Sequence, residues 1–229
     1  MSRSIFQEAD AIAGFVVRKI RRLQDGSSFK APTSSSSRAS LARLRRLGTP
    51  GSAWMAVGSD LFEGWPELSL SARDEKRMAN AIVGALRLYA YHQQSKQVSM
   101  AWTADDSAMG EDSVAPRHRS FGWSCWALEP DREKSQGVRR RMASIEAASD
   151  FAGIEHNLRA LVTLMRSKDV KVDYWSLTRD LYLVQFDGTH DAVFMRWARD
   201  YYAPKQAGED SALIDGVRGV VETEGDLAQ

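Results

Sequence analysis

Apolar residues recur at helical spacing along most of this 229-residue chain, and this pattern restricts the fold more than any other feature of the sequence. In the first segment, Ile5, Ile12 and Val16 return to one side at about 100° per residue. Ser4 and Gln7 precede this stripe in the arrangement of a capping box. No stretch combines sustained alternation of apolar and polar residues with enrichment in β-branched residues. The sequence therefore predicts an all-α fold.

Capping residues, glycines and prolines divide the pattern into eight helices. The predicted helices cover residues 5–24, 38–47, 71–94, 120–129, 135–148, 151–167, 173–187 and 190–203. Between Gly48 and Leu70, Gly, Pro and Ser punctuate Trp54 and Trp65, which favours short helical turns held by aromatic anchors. The expected architecture is a two-lobed helical bundle of about eight or nine helices.

A loss of periodicity near the middle of the chain suggests two lobes. We predict an N-terminal helical lobe over 1–95, a loop or linker over 96–119, a C-terminal helical bundle over 120–203 and an acidic tail over 204–229 that frays. The Ser-rich stretch at 26–37 buries too little surface to order itself, so we predict a mobile loop there.

Several functions are disfavoured by what the sequence lacks. A single cysteine, Cys125, excludes a disulfide within the chain and a cysteine-based zinc site, which fits the cytoplasm. The four histidines are scattered, and the longest apolar run is far below the ~20 residues that cross a bilayer. Phosphate-loop, dinucleotide-binding, nucleophile-elbow and zinc-protease motifs do not occur. We therefore expect a cytoplasmic protein that is not an enzyme, with no metal, cofactor or membrane contact.

The near-neutral total charge hides an uneven distribution. The formal net charge is +1, from 31 basic and 30 acidic residues. Residues 1–50 carry ten basic and three acidic side chains, whereas residues 201–229 carry two and six. Arginine supplies 23 of the 31 basic residues, and its planar guanidinium suits bidentate phosphate contact better than lysine does. The positive charge of residues 1–50 is therefore largely offset in the total by the negative charge of the rest of the chain, above all of residues 201–229.

Arginine also recurs opposite the apolar stripe in helix after helix, with few acidic residues at i±4 to neutralise it. Guanidinium groups of this kind fit contact with a phosphate backbone, because each contact releases condensed counterions. For Arg179, which shares one side of its helix with Trp175 and Tyr182, a structural and a ligand-facing role are equally compatible with the pattern. The candidate nucleic-acid-binding residues are Arg18, Lys19, Arg21, Arg22, Arg38, Arg43, Arg45, Arg46, Arg139, Arg140, Arg141, Arg159, Arg166, Arg179, Arg196 and Arg199.

A set of short motifs follows in order along the chain. They are Arg38–Arg46 (RASLARLRR) followed by Trp54, Ser120–Gly122 (SFG), Val138–Met142 (VRRRM), Leu158–Val162 (LRALV), Val172–Leu181 (VDYWSLTRDL) and Trp197–Tyr202 (WARDYY). In order and spacing this set resembles the CasB family, the small subunit of the type I-E CRISPR complex Cascade. Phe121 stands where that family usually has Leu. The resemblance spans residues 5–203.

The resemblance implies a non-catalytic subunit, normally present as two copies packed head-to-tail among the other Cascade subunits. Such a subunit contacts guide RNA and target DNA through a basic surface and helps to hold the R-loop open, while guide pairing supplies sequence specificity. Seven candidates fall at positions of the matching motifs that are basic in the family: Arg45, Arg46, Arg139, Arg140, Arg141, Arg159 and Arg179. The other candidates rest more on the helical-wheel argument alone.

The residues by themselves leave two alternatives open. One is a helical DNA-binding regulator, which would need a recognition helix and a preferred site. The other is a scaffold whose arginine faces pair only with acidic surfaces of partner proteins. No pattern of base-reading side chains is evident, so the expected binding to nucleic acid is sequence-independent.

Overall fold

The computed structural model describes residues 4–24, 34–47, 54–102 and 118–204. These residues form nine α-helices and a 3₁₀ turn, and the described part of the chain contains no β-strand, so the predicted all-α fold is confirmed. The helices are α1 (Ile5–Leu23), α2 (Ser35–Arg45), α3 (Gly58–Phe62), α4 (Ala72–His92), α5 (Phe121–Leu128), α6 (Gln136–Glu146), α7 (Phe151–Ser167), α8 (Tyr174–Leu183) and α9 (Asp187–Tyr202), and the 3₁₀ turn is Trp54–Val57.

Side-chain caps begin most of these helices. At α1 the predicted capping box is present: the Ser4 hydroxyl accepts from the Gln7 amide at 3.4 Å, and the Gln7 side chain accepts from the Ser4 amide at 3.3 Å. The side-chain oxygens of Ser71, Ser120 and Asp150 accept from backbone amides and so cap α4, α5 and α7. Each cap satisfies an amide that has no partner within its helix, so local sequence sets where the helices start.

The core of the protein lies around α8. Helices α1 and α4 both pack along α8, α4 also packs on α7, and α5 lies against α9. Tyr89, Tyr174 and Tyr182 are the largest fully buried side chains, and one continuous apolar cluster includes residues from α1 through α9. The two predicted halves of the chain therefore bury their apolar faces against each other.

Helices α5 and α9 approach each other through the backbone. A Cβ atom added to Gly122 would overlap the carbonyl oxygen of Trp197. Phe121 packs against the Trp197 ring at 5.1 Å between ring centroids. Only glycine fits at position 122, which explains its place in the SFG motif.

The start of α2 differs from prediction. α2 begins at Ser35 rather than Arg38, because the Ser34 hydroxyl accepts from the Ser37 amide at 3.1 Å and caps the helix. The predicted mobile loop was therefore wrong for Ser35–Ser37, and residues 26–33 lie outside the described residues.

α8 also ends earlier and α9 starts earlier than predicted. The Thr189 hydroxyl donates to the Leu183 carbonyl oxygen at 2.6 Å, which closes the turn between the two helices. Phe186 occupies the N-cap position of α9 without a side-chain hydrogen bond. The sequence gives no capping signal at this boundary, so the periodic pattern alone could not place it.

Residues 99–102 of the predicted linker are part of the core. Ser99 and Met100 are fully buried, and the amides of Trp102 and Val172 donate to the carbonyls of Val172 and Met100 at 2.8 and 3.1 Å. This exchange forms an isolated parallel bridge between Ala101 and Val172. The division of the chain at 96–119 stays a prediction, and most of that segment, like the tail after Pro204, lies outside the described residues.

Cys125 is fully buried, as its position between two tryptophans predicts, and burial raises the pKa of its thiol. Within the described ranges, no helix has the length and apolar character needed to span a bilayer. The same residues contain no group of three or more His, Cys, Asp or Glu side chains arranged to hold a metal ion.

Candidate nucleic-acid interface

Three of the predicted arginines contact Tyr91 or the last turn of α4, and a fourth, Arg46, lies close enough to Arg45 to act on its pKa. We call Arg45, Arg46, Arg159 and Arg166 the Tyr91 face. The Tyr91 hydroxyl donates to the Arg45 carbonyl oxygen at 2.9 Å, and the Arg159 guanidinium lies 3.8 Å from the centroid of the Tyr91 ring. Tyr91 thereby joins α2 to α7 across the end of α4.

Backbone oxygens hold two of these guanidinium groups in place. Arg166 donates to the Tyr91 carbonyl oxygen at 3.2 Å and to the Gln94 side chain at 3.0 Å. Arg45 donates to the carbonyl oxygen of Ala90 at 3.2 Å. These carbonyls belong to the last turn of α4, where the helix dipole favours positive charge. The end of α4 therefore stabilises arginines that come from two other helices.

The guanidinium groups of the face lie close enough to act on each other. Partial burial lowers the pKa of Arg45, and the positive charges of Arg166 and Arg46 add to the shift in the same direction. The ion pairs in the described part of the chain involve none of Arg45, Arg159 and Arg166. The Tyr91 face consequently keeps an excess of positive charge.

The nearby carboxylate of Glu155 does not neutralise this face, because it pairs with Arg87 at 3.0 Å. Burial raises the pKa of Glu155, while the charges of Arg87 and Arg159 oppose that shift. Both members of the Glu155–Arg87 pair are largely buried. Arg159, which is exposed, is left with the Tyr91 ring as its direct contact.

Beside the face lies an open pocket of about 270 Å³ at the ends of α4 and α7. Its lining is polar and consists of Gln94, Ser95, Lys96, Arg166 and Ser167. Lys96 pairs with Asp169 at 2.6 Å, so its charge is partly compensated. Sequence reasoning did not single out Lys96, since it lies just after the periodic part of α4.

His92, which is buried beside Tyr91, is an uncharged side chain. Its Nε2 lies 3.1 Å from the carbonyl oxygen of Val170 and must carry the proton, so its Nδ1 accepts from the Tyr174 hydroxyl at 3.1 Å. Burial lowers the pKa of His92 to about 3, and the charges of Arg166 and Lys96 act in the same direction. The face is therefore built over a neutral imidazole.

Other candidates lie exposed on separate helices. On α1, Arg18 and Arg21 are exposed, and Arg22 forms a solvent-exposed ion pair with Glu63 at 3.2 Å. On α2, Arg38 is exposed. The helical-wheel prediction thus placed these side chains on the correct side of their helices.

The three consecutive arginines of α6 form another basic segment. Arg140 and Arg141 are exposed and Arg139 is half-buried. Arg141 donates to the Gly137 carbonyl oxygen at 3.0 Å within its own helix. None of the three takes part in an ion pair within the described part of the chain.

Lys19 and Arg43 do not lie free on a surface as predicted. Lys19 is buried, and its ammonium donates to the Ser59 carbonyl oxygen at 3.2 Å; burial lowers its pKa. Arg43 pairs with Asp60 at 2.6 Å, and Asp60 also accepts from the Ser40 hydroxyl. The prediction that the whole arginine arc of α2 is free was therefore wrong for Arg43.

Arg179, Arg196 and Arg199, which we call the paired group, each contact a carboxylate. Arg179 pairs with Asp10 of α1 at 2.9 Å and lies 5.4 Å from the centroid of the Phe6 ring. The carboxylates that contact Arg196 and Arg199 are those of Asp180 and Asp200.

Asp180 is fully buried, and it also accepts from the indole nitrogen of Trp197 at 2.7 Å. Burial lowers the pKa of Arg196 to about 10, and the charge of Arg179 adds to this shift. These contacts assign Arg179 and Arg196 a structural role, which the outward helical-wheel position of Arg196 did not predict.

The fold and the Tyr91 face define an all-α protein in which arginines from separate helices converge on one surface. The chain belongs to the CRISPR-associated Cse2 family, whose model matches residues 40–202. The resemblance of its motifs to the CasB family is thereby confirmed.

Three solved structures share the fold. CasB from Thermobifida fusca is 27% identical over 84% of this chain and 98% of that chain, with a TM-score of 0.65. A chain of a CRISPR RNA-guided surveillance complex is 22% identical over 87% of this chain and 94% of its own, with a TM-score of 0.54. CasB from M. ruber is 21% identical over 83% and 92%, also with a TM-score of 0.54. Among curated proteins, none matches the chain.

Proposed function

We propose that this chain is the non-catalytic small subunit of a type I-E Cascade complex. In that role it binds guide RNA and target DNA without sequence preference and stabilises the R-loop. The observation that carries the proposal is the Tyr91 face, where arginines from α2 and α7 meet and where Arg45, Arg159 and Arg166 have no acidic partner among the described residues. Membership of the Cse2 family and the likeness to a chain of an RNA-guided surveillance complex support the same assembly.

The geometry of the face suits a phosphodiester backbone. Guanidinium groups form charge-assisted and often bidentate hydrogen bonds to phosphate oxygens. Because the Tyr91 ring and the carbonyls of α4 already orient Arg159, Arg45 and Arg166, little side-chain freedom is lost on binding. A nucleic-acid backbone that crosses the end of α4 would meet several cations at once.

Sequence recognition is not needed in this role. In an RNA-guided complex, pairing between guide and target reads the sequence, and the protein contacts the backbone. Arg18 and Arg21 of α1 and the exposed arginines of α6 would extend the contact along a strand. The partners we propose are guide RNA, target DNA, the other Cascade subunits and a second copy of this chain.

A salt titration tests the proposal. We expect similar affinity for unrelated sequences, whether these are compared as duplexes or as single strands, with log K falling by about 0.9 per phosphate contact for each unit of log salt on duplex DNA. Four neutralised phosphates would give a slope of about −3.6. Fluorescence anisotropy with labelled oligonucleotides between low and moderate salt measures both quantities.

Other outcomes would support the two alternative functions. A defined palindromic footprint would indicate a DNA-binding regulator. No binding at low salt, together with capture by acidic surfaces of partner proteins, would indicate a scaffold. A slope near zero with measurable affinity would contradict backbone binding altogether.

A further inference from the structure

A second group of side chains, separate from the arginine faces, forms two stacked pairs where α5 and α8 begin. The His118 ring lies flat on the Trp175 ring, with 3.9 Å between centroids and 14° between planes. Next to it, the Arg119 guanidinium lies 3.9 Å from the centroid of Trp123 and 5.1 Å from that of Trp102. Three indole rings, one imidazole and one guanidinium thus stack together where the two helices begin.

The exposed part of His118 is defined by what covers the rest of its ring. Trp175 covers one face, and Nδ1 lies 2.9 Å from the Asp173 carboxylate. The His118 side chain nevertheless keeps 41% of its surface exposed. The accessible area must therefore lie on the opposite face of the ring and along its Nε2 edge.

Asp173 fixes the position of this ring. Its carboxylate is 2% exposed, and besides His118 it accepts from the amides of Arg119, Trp175 and Ser176 at 3.0 to 3.1 Å. The residue that orients His118 is thus the N-cap of α8 and part of the rigid core. An open aromatic face held in this way binds a flat ligand with little loss of conformational entropy.

The stacked pairs and the Tyr91 face lie at the same end of the molecule. Tyr174 follows Asp173 directly, and its hydroxyl contacts His92, the last residue of α4 and the neighbour of Tyr91. The end of α4, which carries the Tyr91 face, and the start of α8, which carries the stacked pairs, are therefore neighbours joined through the buried side chains of His92 and Tyr174.

We propose that His118, backed by Trp175, stacks on an unpaired nucleobase of a single strand bound by this chain. The proposal rests on the proposed function and adds the form of the ligand: single-stranded nucleic acid. A base inside a duplex is already stacked and does not offer its face. Base–aromatic stacking is tolerant of sequence, which agrees with backbone binding elsewhere.

Two oligonucleotides of equal charge separate stacking from backbone contact. One is a thymidine strand of about 20 nucleotides, and the other has the same length with abasic sites throughout. We expect the full-length wild-type chain to prefer the thymidine strand by about 5- to 150-fold, the range of one stacked base. The ratio of the two dissociation constants is the readout.

His118→Ala and His118→Phe form a matched pair of variants. We expect His118→Ala to bring the ratio close to one, whereas His118→Phe, which keeps a ring over Trp175 but loses the bond to Asp173, retains most of it. Thermal denaturation confirms that both variants fold. If both substitutions lower the ratio equally, or if neither does, His118 only anchors the chain and the proposal is overturned.

Failure of this inference is distinguishable from failure of the proposed function. Equal, salt-dependent binding of both oligonucleotides by the wild type would overturn stacking and leave backbone binding intact. Absence of binding to either would overturn both.

Discussion

The Tyr91 face and the paired group use the same side chain in opposite ways. In the paired group, Arg196 contacts the buried carboxylate of Asp180, and Arg179 contacts Asp10 of another helix. In the Tyr91 face, the contacts of Arg159 and Arg166 are an aromatic ring, backbone carbonyls and an amide. Carboxylates cancel a guanidinium charge, whereas rings and carbonyls orient it and leave the charge in place. The contacts of an arginine, rather than its exposure alone, determine whether it can attract a phosphate.

The largest effect is expected from breaking the paired group at its buried member. Asp180→Ala leaves Arg196 without its carboxylate and the Trp197 indole without its acceptor, so we expect a loss of about 3 kcal/mol in the free energy of unfolding. Urea denaturation followed by circular dichroism measures the loss. A change below about 0.5 kcal/mol would show that Asp180 does not hold α8 and α9 together.

The free energy of unfolding should depend on pH through His92, which lies beneath the Tyr91 face. Its pKa is about 3 in the folded chain, against about 6.5 when unfolded, so below pH 6.5 the unfolded state binds more protons. Stability is therefore complete above pH 6.5 and falls toward pH 3 by up to about 1.4 kcal/mol per pH unit. Between pH 6.5 and pH 5 we expect a loss of about 2 kcal/mol in urea denaturation.

His92→Gln provides the control for this prediction. Glutamine can keep the hydrogen bonds to Val170 and Tyr174 but does not titrate. Its unfolding free energy should change much less over the same pH range. Parallel curves for the wild type and the variant would assign the pH dependence to other groups.

A double substitution in the Tyr91 face tests its role in binding. Arg159→Gln with Arg166→Gln removes two charges that take part in none of the described ion pairs, and we expect about a tenfold loss in affinity for a single strand, with a salt slope shallower by about 1.4. The unfolding free energy should fall by no more than about 1 kcal/mol, the contribution of a typical hydrogen bond. Anisotropy and urea denaturation on the same preparations give both values.

The smallest effect is expected from two exposed arginines that already have acidic partners. Arg22→Gln with Arg199→Gln removes the same charge as the double substitution in the Tyr91 face, but Glu63 and Asp200 offset these arginines in the wild type. We expect the affinity to change by about twofold or less, because in the wild type each of these guanidinium groups is already engaged by a carboxylate and attracts a phosphate only weakly. Equal losses in both double variants would mean that total charge, and not the contacts of each arginine, governs binding.

Much of the fold was predictable because helix formation is local. The stripe of α4 and the capping box of Ser4 appear directly in the sequence, and the structure has both. The start of α2 was missed because Ser34 lies within a serine run, where any member could cap. The boundary between α8 and α9 was missed because Phe186 gives no capping signal.

The site was predictable only in part, because its electrostatics depend on contacts between helices. Counting acidic residues at i±4 overlooks Asp60 and Asp10, which reach Arg43 and Arg179 from other helices. The meeting of α2, α4 and α7 at Tyr91 depends on how the helices cross. One signal was present: Tyr91 is an aromatic residue outside the apolar stripe of α4.

Gly122 has a mechanical consequence for the surface near His118. Since α5 and α9 touch backbone to backbone at this residue, no side chain between them can rearrange to absorb a displacement. The two helices have little room to slide past each other at this residue. We expect a partner that presses on α9 from outside, at the exposed Met195 or Tyr202, to displace the start of α5 as well, and with it the chain that carries His118.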